Sequence, residues 1–271
     1  MKNSLIVLGL IFLIFNTSCE KSPTYSAPSL VSFKDANFEA LIREEINKPS
    51  GDITSAEMLA ITSLIGDERN IADITGIEYC LNLELLDLDV NQISNISALS
   101  GLTKLISLDL DENQIIDLSP LSTLTKLEWL DLDENQISNL NPLSTLTNLE
   151  GLDLDGNLIT DINPLSTLTN LDFLDLSENQ INDISALSGL TNLKTLYLWI
   201  NQINDIGVLT GLTNLDDLDL DDNQISDIGA LVQNSGIDNG DDVYISGNPL
   251  SDTSKNTYIP QLKARGVNVT Y

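Results

Sequence analysis

Aspartates recur every 22 residues through the middle of this sequence, in two sets that we name the inner and outer columns. Carboxylates in rows could act as general acids and bases, ligate hard cations such as Ca²⁺, or attract a basic partner. The inner column consists of Asp87, Asp109, Asp131, Asp153, Asp175 and Asp219. The outer column consists of Asp89, Asp111, Asp133, Asp155 and Asp221.

Catalysis is the first of these chemistries that the sequence argues against. The chain has no histidine, which removes the usual acid–base group at neutral pH and every Ser/His or Cys/His arrangement. Carboxylate pairs such as Asp109 and Asp131 remain, but the pattern forms no pocket that would raise the pKa of one of them selectively. We therefore predict no catalytic residues and no cofactor.

Calcium binding is an alternative that the sequence leaves open. The segment from Asp109 to Asn113 has the oxygen ligands that Ca²⁺ prefers, but it lacks the glycine and the final glutamate of a calcium-binding loop. Carboxylates on flat strands do not wrap an ion with six to eight oxygens. We therefore assign no metal ligand, and we keep binding of Ca²⁺ or a cationic ligand by the aspartate columns as the second hypothesis.

A longer repeat shows which element carries the columns. The segment from Leu105 to Ile115, Leu-Ile-Ser-Leu-Asp-Leu-Asp-Glu-Asn-Gln-Ile, returns one period later from Leu127 to Ile137. The alternation at Leu108-x-Leu110 predicts a short strand whose intervening residues point outward. A fixed period of this length predicts a solenoid, in which stacked coils bury their leucine edges against each other.

An asparagine follows each predicted strand, where the chain turns away from the sheet. The set consists of Asn91, Asn113, Asn135, Asn157, Asn179, Asn201 and Asn223. Such a turn encloses backbone donors and acceptors that water does not reach, and stacked asparagine amides can satisfy them. Prolines at Pro120, Pro142 and Pro164 recur in phase and predict the starts of short helical turns.

The frame LxxLxLxxNxIxDIxxLxxL, from about Ile61 to Leu250, resembles the 22-residue leucine-rich repeat of the bacterial internalins and related surface proteins. The resemblance implies an α/β solenoid. This is a right-handed superhelix with a parallel β-sheet on the concave face and short 3-10 or irregular turns on the convex face. It also implies that a partner docks on the concave face, and it does not identify that partner.

Aromatic residues are rare in the repeats, and between Leu81 and Leu231 they are Trp129, Phe173, Tyr197 and Trp199. All four take predicted outward positions, so packing of the leucine core does not account for them. Exposed aromatics mark contact surfaces, although simple cover of the sheet is an alternative. We predict an apolar strip bordered by aspartates, with Trp129 roughly 10 Å beyond Phe173.

The formal net charge of −29 limits the class of partner. Nucleic acid is excluded because its phosphates need a basic surface. Carboxylates on neighbouring strands, about 5 Å apart, repel by on the order of 1 kcal/mol per pair in water. A protein partner with a basic patch would relieve that repulsion, whereas the alternative is a solvated repeat retained for solubility.

The N-terminus resembles that of a bacterial lipoprotein. Lys2 precedes an apolar run from Leu5 to Phe15, which is shorter than the roughly 20 residues of a spanning helix and predicts a signal peptide over 1–18. The following Asn-Thr-Ser-Cys19 resembles a lipobox, except that Asn16 stands where leucine is usual. We predict lipidation of Cys19, export across the inner membrane, and anchoring to the outer membrane or cell surface by the lipid alone. An ordinary secretory signal is the alternative.

The chain divides into five segments on this interpretation. After the signal peptide, residues 19–29 form a lipidated tether and residues 30–60 a helical N-terminal cap. Residues 61–235 contain the repeats, and residues 236–271 a last strand and C-terminal cap. Arg69 replaces the expected asparagine in the first coil, and Cys80 is in phase with core leucines, which predicts an inert buried thiol. We expect a monomer.

Overall fold

The computed structural model describes residues 28–271 of the protein. Ten strands form one sheet in chain order, and each pairs in parallel with the next. Short 3-10 turns occupy the opposite side, which confirms the predicted leucine-rich repeat solenoid. The predicted signal peptide, Cys19 and most of the tether lie outside the described residues.

The strands are β1 Ser63–Ile65, β2 Leu85–Asp87, β3 Ser107–Asp109, β4 Trp129–Asp131, β5 Gly151–Asp153, β6 Phe173–Asp175, β7 Thr195–Tyr197, β8 Asp217–Asp219, β9 Asp242–Tyr244 and β10 Asn268–Thr270. The α-helices are α1 Ala36–Glu45, α2 Ser55–Met58, α3 Gly229–Gln233 and α4 Ile259–Arg265. The 3-10 turns are Ile77–Tyr79, Ser97–Leu99, Ser119–Thr123, Asn141–Thr145, Asn163–Thr167, Ser185–Gly189 and Gly207–Gly211, and a π-helical turn spans Ser254–Tyr258. Among these elements no helix is both long and apolar enough to span a bilayer.

Each coil buries its leucine and isoleucine side chains in one continuous core. The middle residue of each strand is buried, and in β3 the two neighbours of Leu108 are partly exposed. Cys80 lies in this core as predicted, and burial raises the pKa of its thiol to about 12. The thiol is therefore un-ionised and unreactive at neutral pH.

The asparagine ladder is present in the predicted form, and Asn135 shows its geometry. Its Oδ1 accepts from the N–H of Ile115 at 2.8 Å, and its Nδ2 donates to the carbonyls of Leu110, Leu132 and Asp133 at 2.9–3.2 Å. The side chain is 7% exposed. One amide thus joins two adjacent coils and satisfies backbone groups that water does not reach.

Both ends of the solenoid differ from its middle. Asp35 caps α1 by accepting from the N–H of Phe38 at 3.0 Å, and Arg69 pairs with Glu44 of the same helix at 2.7 Å. The residue at the asparagine position of the first coil, Arg69, therefore contacts the N-terminal cap. At the other end α4 and β10 cover the last repeat, and Leu262 of α4 is fully buried.

Candidate functional site

The inner column lies at the last residues of β2–β6 and β8, and from β2 to β6 in-register pairing stacks one aspartate beside the next. In each coil the carboxylate also accepts from the backbone N–H two residues later, at 3.4 Å for Asp87 and 2.8 Å for Asp175. The aspartates therefore close the strand ends, a structural role that we did not predict. The available signal was the known preference of aspartate for a hydrogen bond to the backbone two residues on.

Partial burial and mutual repulsion raise the pKa values of many column aspartates. In the inner column, burial first and neighbouring carboxylates second raise the pKa values of Asp131 and Asp153 to about 7. The same causes act on the outer column, where the pKa values of Asp111 and Asp155 are about 7. Smaller upward shifts, to a pKa of about 6, occur at Asp89 and Asp219.

These shifts change one expectation drawn from the sequence. The formal charge counts every column carboxylate as ionised, but carboxylates that stand side by side on strands about 4.8 Å apart lose much of their water. Several aspartates therefore carry a proton part of the time at pH 7, and the face is less acidic than its formal charge.

Three aromatic rings lie in contact across the sheet face, and we name Trp129, Phe173 and Tyr197 the aromatic strip. The ring centroids of Trp129 and Phe173 are 5.4 Å apart at an interplanar angle of 31°. Phe173 meets Tyr197 edge to face at 6.0 Å and 87°. Both separations are typical of stabilising ring pairs. Trp129 is 39% exposed and the other two are half-buried, so the strip is a surface feature and not part of the leucine core.

Gly151 allows the strip to be continuous. It lies on β5 between Trp129 and Phe173, and a Cβ atom there would fall 2.1 Å from Cε3 of the indole. The indole therefore crosses over the glycine and reaches the next ring. Our expected gap of roughly 10 Å was wrong because it assumed that each ring stands above its own strand. The signal that we missed is that Gly151 is the one glycine among the first residues of the ten strands.

Tyr197 ends the strip, and the fourth predicted aromatic, Trp199, lies apart from its ring contacts. The hydroxyl of Tyr197 donates to Oδ2 of Asp217 on the next strand at 2.7 Å, which fixes the outer end of the strip. Burial and that hydrogen bond raise the pKa of the tyrosine. Asp217 was not predicted as a site residue. Trp199 is half-buried at an outer-column position and takes no part in the ring contacts of the strip.

Replacing Gly151 with alanine is expected to break the strip without removing any aromatic side chain. The new methyl group occupies the space of the indole, which rotates away because a side chain yields more readily than backbone. We expect the near-ultraviolet circular dichroism of the stacked rings to decrease, with a stability change below about 1 kcal/mol. Gly211→Ala is the matched control, because nothing lies within 4 Å of its added Cβ. An unchanged spectrum for Gly151→Ala would contradict the crossing arrangement.

Comparison with known proteins gives a consistent result. A family model described as leucine-rich repeats (two copies) matches residues 81–123, 125–167, 147–189, 169–211 and 191–233. No curated protein matches. Among solved structures, an internalin (InlF) from Listeria monocytogenes is 35% identical, with a TM-score of 0.72, over 88% of this chain and 76% of its own.

Two further structures bear on the fold. Internalin C2 from the same organism is 35% identical, with a TM-score of 0.72, over 81% of this chain and 94% of its own. A plant peptide hormone receptor, RGFR1, solved in complex with RGF2, is 21% identical with a TM-score of 0.62, over 73% of this chain and 33% of its own. At that identity the receptor supports a shared fold alone.

Proposed function

The chain belongs to the leucine-rich repeat family and is internalin-like, and from that premise we propose that it binds a protein partner through its concave sheet face. Proteins of this fold commonly mediate protein–protein interaction. The observation that carries the proposal is the aromatic strip. Its rings contact each other outside the core, and Tyr197 stands where the strands on either side carry an inner-column aspartate. Tryptophan and tyrosine in such positions typically supply much of the binding energy of an interface.

Charge around the strip defines the chemistry of the partner. The strip is bordered by the inner-column aspartates Asp153, Asp175 and Asp219. A fitting partner offers an apolar anchor ringed by Lys or Arg. The charges mainly raise the association rate and select the partner, whereas the rings retain it. Raising the salt concentration should therefore slow association and change dissociation little.

This function is binding, without a chemical step. Relatives with this repeat are interaction modules, and the raised pKa values are shared among neighbours on an open face. The calcium alternative has no comparable observation in its favour. Within residues 28–271 no group of three or more His, Cys, Asp or Glu side chains is placed to hold a metal ion. A calorimetric titration with Ca²⁺ is the measurement that would detect such a site.

Restoring the repeat pattern at both ends of the strip is expected to weaken binding. The double variant Trp129→Ser/Tyr197→Asp introduces residue types that neighbouring coils carry at the same positions, Ser107 and Asp219. The probe is a short synthetic peptide with two central leucines flanked by arginines. We expect its Kd, measured by calorimetry, to rise about thirtyfold, or about 2 kcal/mol, although the variant is more acidic.

The control for this experiment is Ser107→Ala, which lies on the strand beside Trp129 but on the side opposite to Gly151, over which the indole crosses. Replacing the arginines of the peptide with glutamates tests the charge requirement separately. If the double variant binds the arginine peptide as tightly as Ser107→Ala does, the aromatic strip is not the binding site.

We further propose that the protein is a lipid-anchored protein of the bacterial envelope. The support is the sequence alone: a short apolar run that ends in Asn16-Thr-Ser-Cys19. Metabolic labelling with a clickable fatty acid should mark the full-length protein but not Cys19→Ser. Equal labelling and membrane retention of the two would place any anchor elsewhere.

A further inference from the structure

Ile200 occupies a backbone position that disfavours its side chain. One residue in each coil, immediately after the outer-column position, has a positive φ, and in the seventh coil this is Ile200 with φ 48°. Branched side chains at Cβ are strained in this left-handed region. Most other coils place an acid or glycine there, such as Glu112, Glu134, Glu178 or Gly156, and Val90 is the other residue branched at Cβ.

Neighbouring coils impose this conformation. The N–H of Ile200 donates to the carbonyl of Asp221 at 3.0 Å, and the carbonyl of Trp199 accepts from the N–H of Glu178 at 2.9 Å. The ladder on both sides therefore holds the turn whatever residue occupies it. Glutamate or glycine would fit the turn better than isoleucine does, so the turn does not explain why isoleucine is present. The side chain is 44% exposed, so burial in the core does not explain it either.

The substitution coincides with two others in the same coil. Tyr197 replaces an inner-column acid, Trp199 replaces an outer-column acid, and Ile200 replaces the following acid. All three consecutive surface positions of one coil have thus changed from acidic to apolar. In the neighbouring coils Glu178 and Asp222 flank Ile200, whereas Ser177 and Asp221 flank Trp199. An apolar element bordered by three carboxylates, those of Glu178, Asp221 and Asp222, results at the rim of the sheet face.

We propose that Trp199 and Ile200, which we name the rim pair, form a second contact element that receives an apolar side chain of the basic partner. This inference rests on the proposed function, because it extends the same face beyond the strip. Charge complementarity identifies the occupant as a protein segment in which an aliphatic residue lies between Arg or Lys residues. The strip binds one anchor of that segment, and the rim pair binds the next.

The test uses the full chain and the arginine-flanked leucine peptide. Ile200→Gly removes the side chain and relieves the strain, and Val90→Gly is its matched control. Val90 is also branched at Cβ, with φ 48° and 36% exposure, but Asp87 and Asp89 precede it in place of aromatics. We expect both variants to gain about 2–4 °C in melting temperature. Only Ile200→Gly should raise the Kd of the peptide, by at least about fivefold.

Several outcomes would overturn the inference. Equal Kd values for Ile200→Gly and Val90→Gly would remove the rim pair from the interface, and a lower melting temperature for Ile200→Gly would remove the strain argument. If the wild type binds the leucine peptide no more tightly than its alanine analogue, the rim pair does not receive an apolar side chain. Measuring Trp129→Ser/Tyr197→Asp in the same assay separates the two proposals. If that variant binds the peptide weakly while Ile200→Gly binds it as the wild type does, the aromatic strip is a binding site and the rim pair is not.

Discussion

Asn135→Leu is expected to lower the free energy of unfolding by about 3 kcal/mol. The substitution leaves the N–H of Ile115 without its acceptor and the carbonyls of Leu110 and Leu132 without their shared donor. These groups are enclosed between two coils, so water does not replace the amide. Since coils are stabilised by their neighbours, the loss affects both sides of the position.

The matched control is Glu134→Ala at the adjacent residue. Glu134 is exposed in the turn and has a positive φ of 47°, which alanine adopts with similar difficulty. We expect a change below about 0.5 kcal/mol. Chemical denaturation of both variants provides the measurement. Equal destabilisation would mean that the amide does not serve the backbone in the way the ladder indicates.

The second large effect is expected from pH. The protein should be more stable at pH 5.5 than at pH 8, by about 5–10 °C in melting temperature. Column aspartates such as Asp131 and Asp153 have folded-state pKa values of about 7, above the ordinary value of 3.8. Their favourable contribution is complete below the unfolded pKa and is lost as pH rises through the folded pKa. Solvent screening at these half-exposed groups keeps the total modest.

Groups with lowered pKa values change the stability in the opposite direction as pH falls, but they do so in a different pH range. Burial opposes the lowering of the Asp35 pKa, and its backbone hydrogen bonds outweigh it, while Lys48 is the main cause that lowers the pKa of Glu57 to about 2. Their contribution is lost only as pH falls below the ordinary carboxyl range. It is therefore intact at both pH 5.5 and pH 8.

Asp131→Asn/Asp153→Asn isolates the column contribution. Each amide oxygen can still accept the backbone hydrogen bond that closes the strand end, while the charge is removed. We expect the variant to melt higher than the wild type at pH 8 and to respond less to pH. The same slope in both proteins would show that other groups control the pH dependence.

The solenoid and its asparagine ladder follow from the sequence because each coil is related to the next by nearly the same shift along the solenoid axis. A residue meets its own equivalent one coil away, so the pattern around Leu108 and Asn113 already specifies what surrounds them. Ile71 and Ile74 keep this phase in the first coil, where Arg69 breaks it, and both are buried. The outward direction of the strip residues follows from the same alternation.

The details of the face depend on tertiary structure because side chains there leave their own coil. Trp129 crosses Gly151 to reach Phe173, and Tyr197 turns to Asp217 on the next strand. A period says which positions face outward, but not which rotamers they adopt or how much water they lose. The sequence thus determined the coil, the core and the surface positions. Only the assembled sheet decided which rings touch and which carboxylates keep a proton, because both depend on contacts between different residues of neighbouring coils.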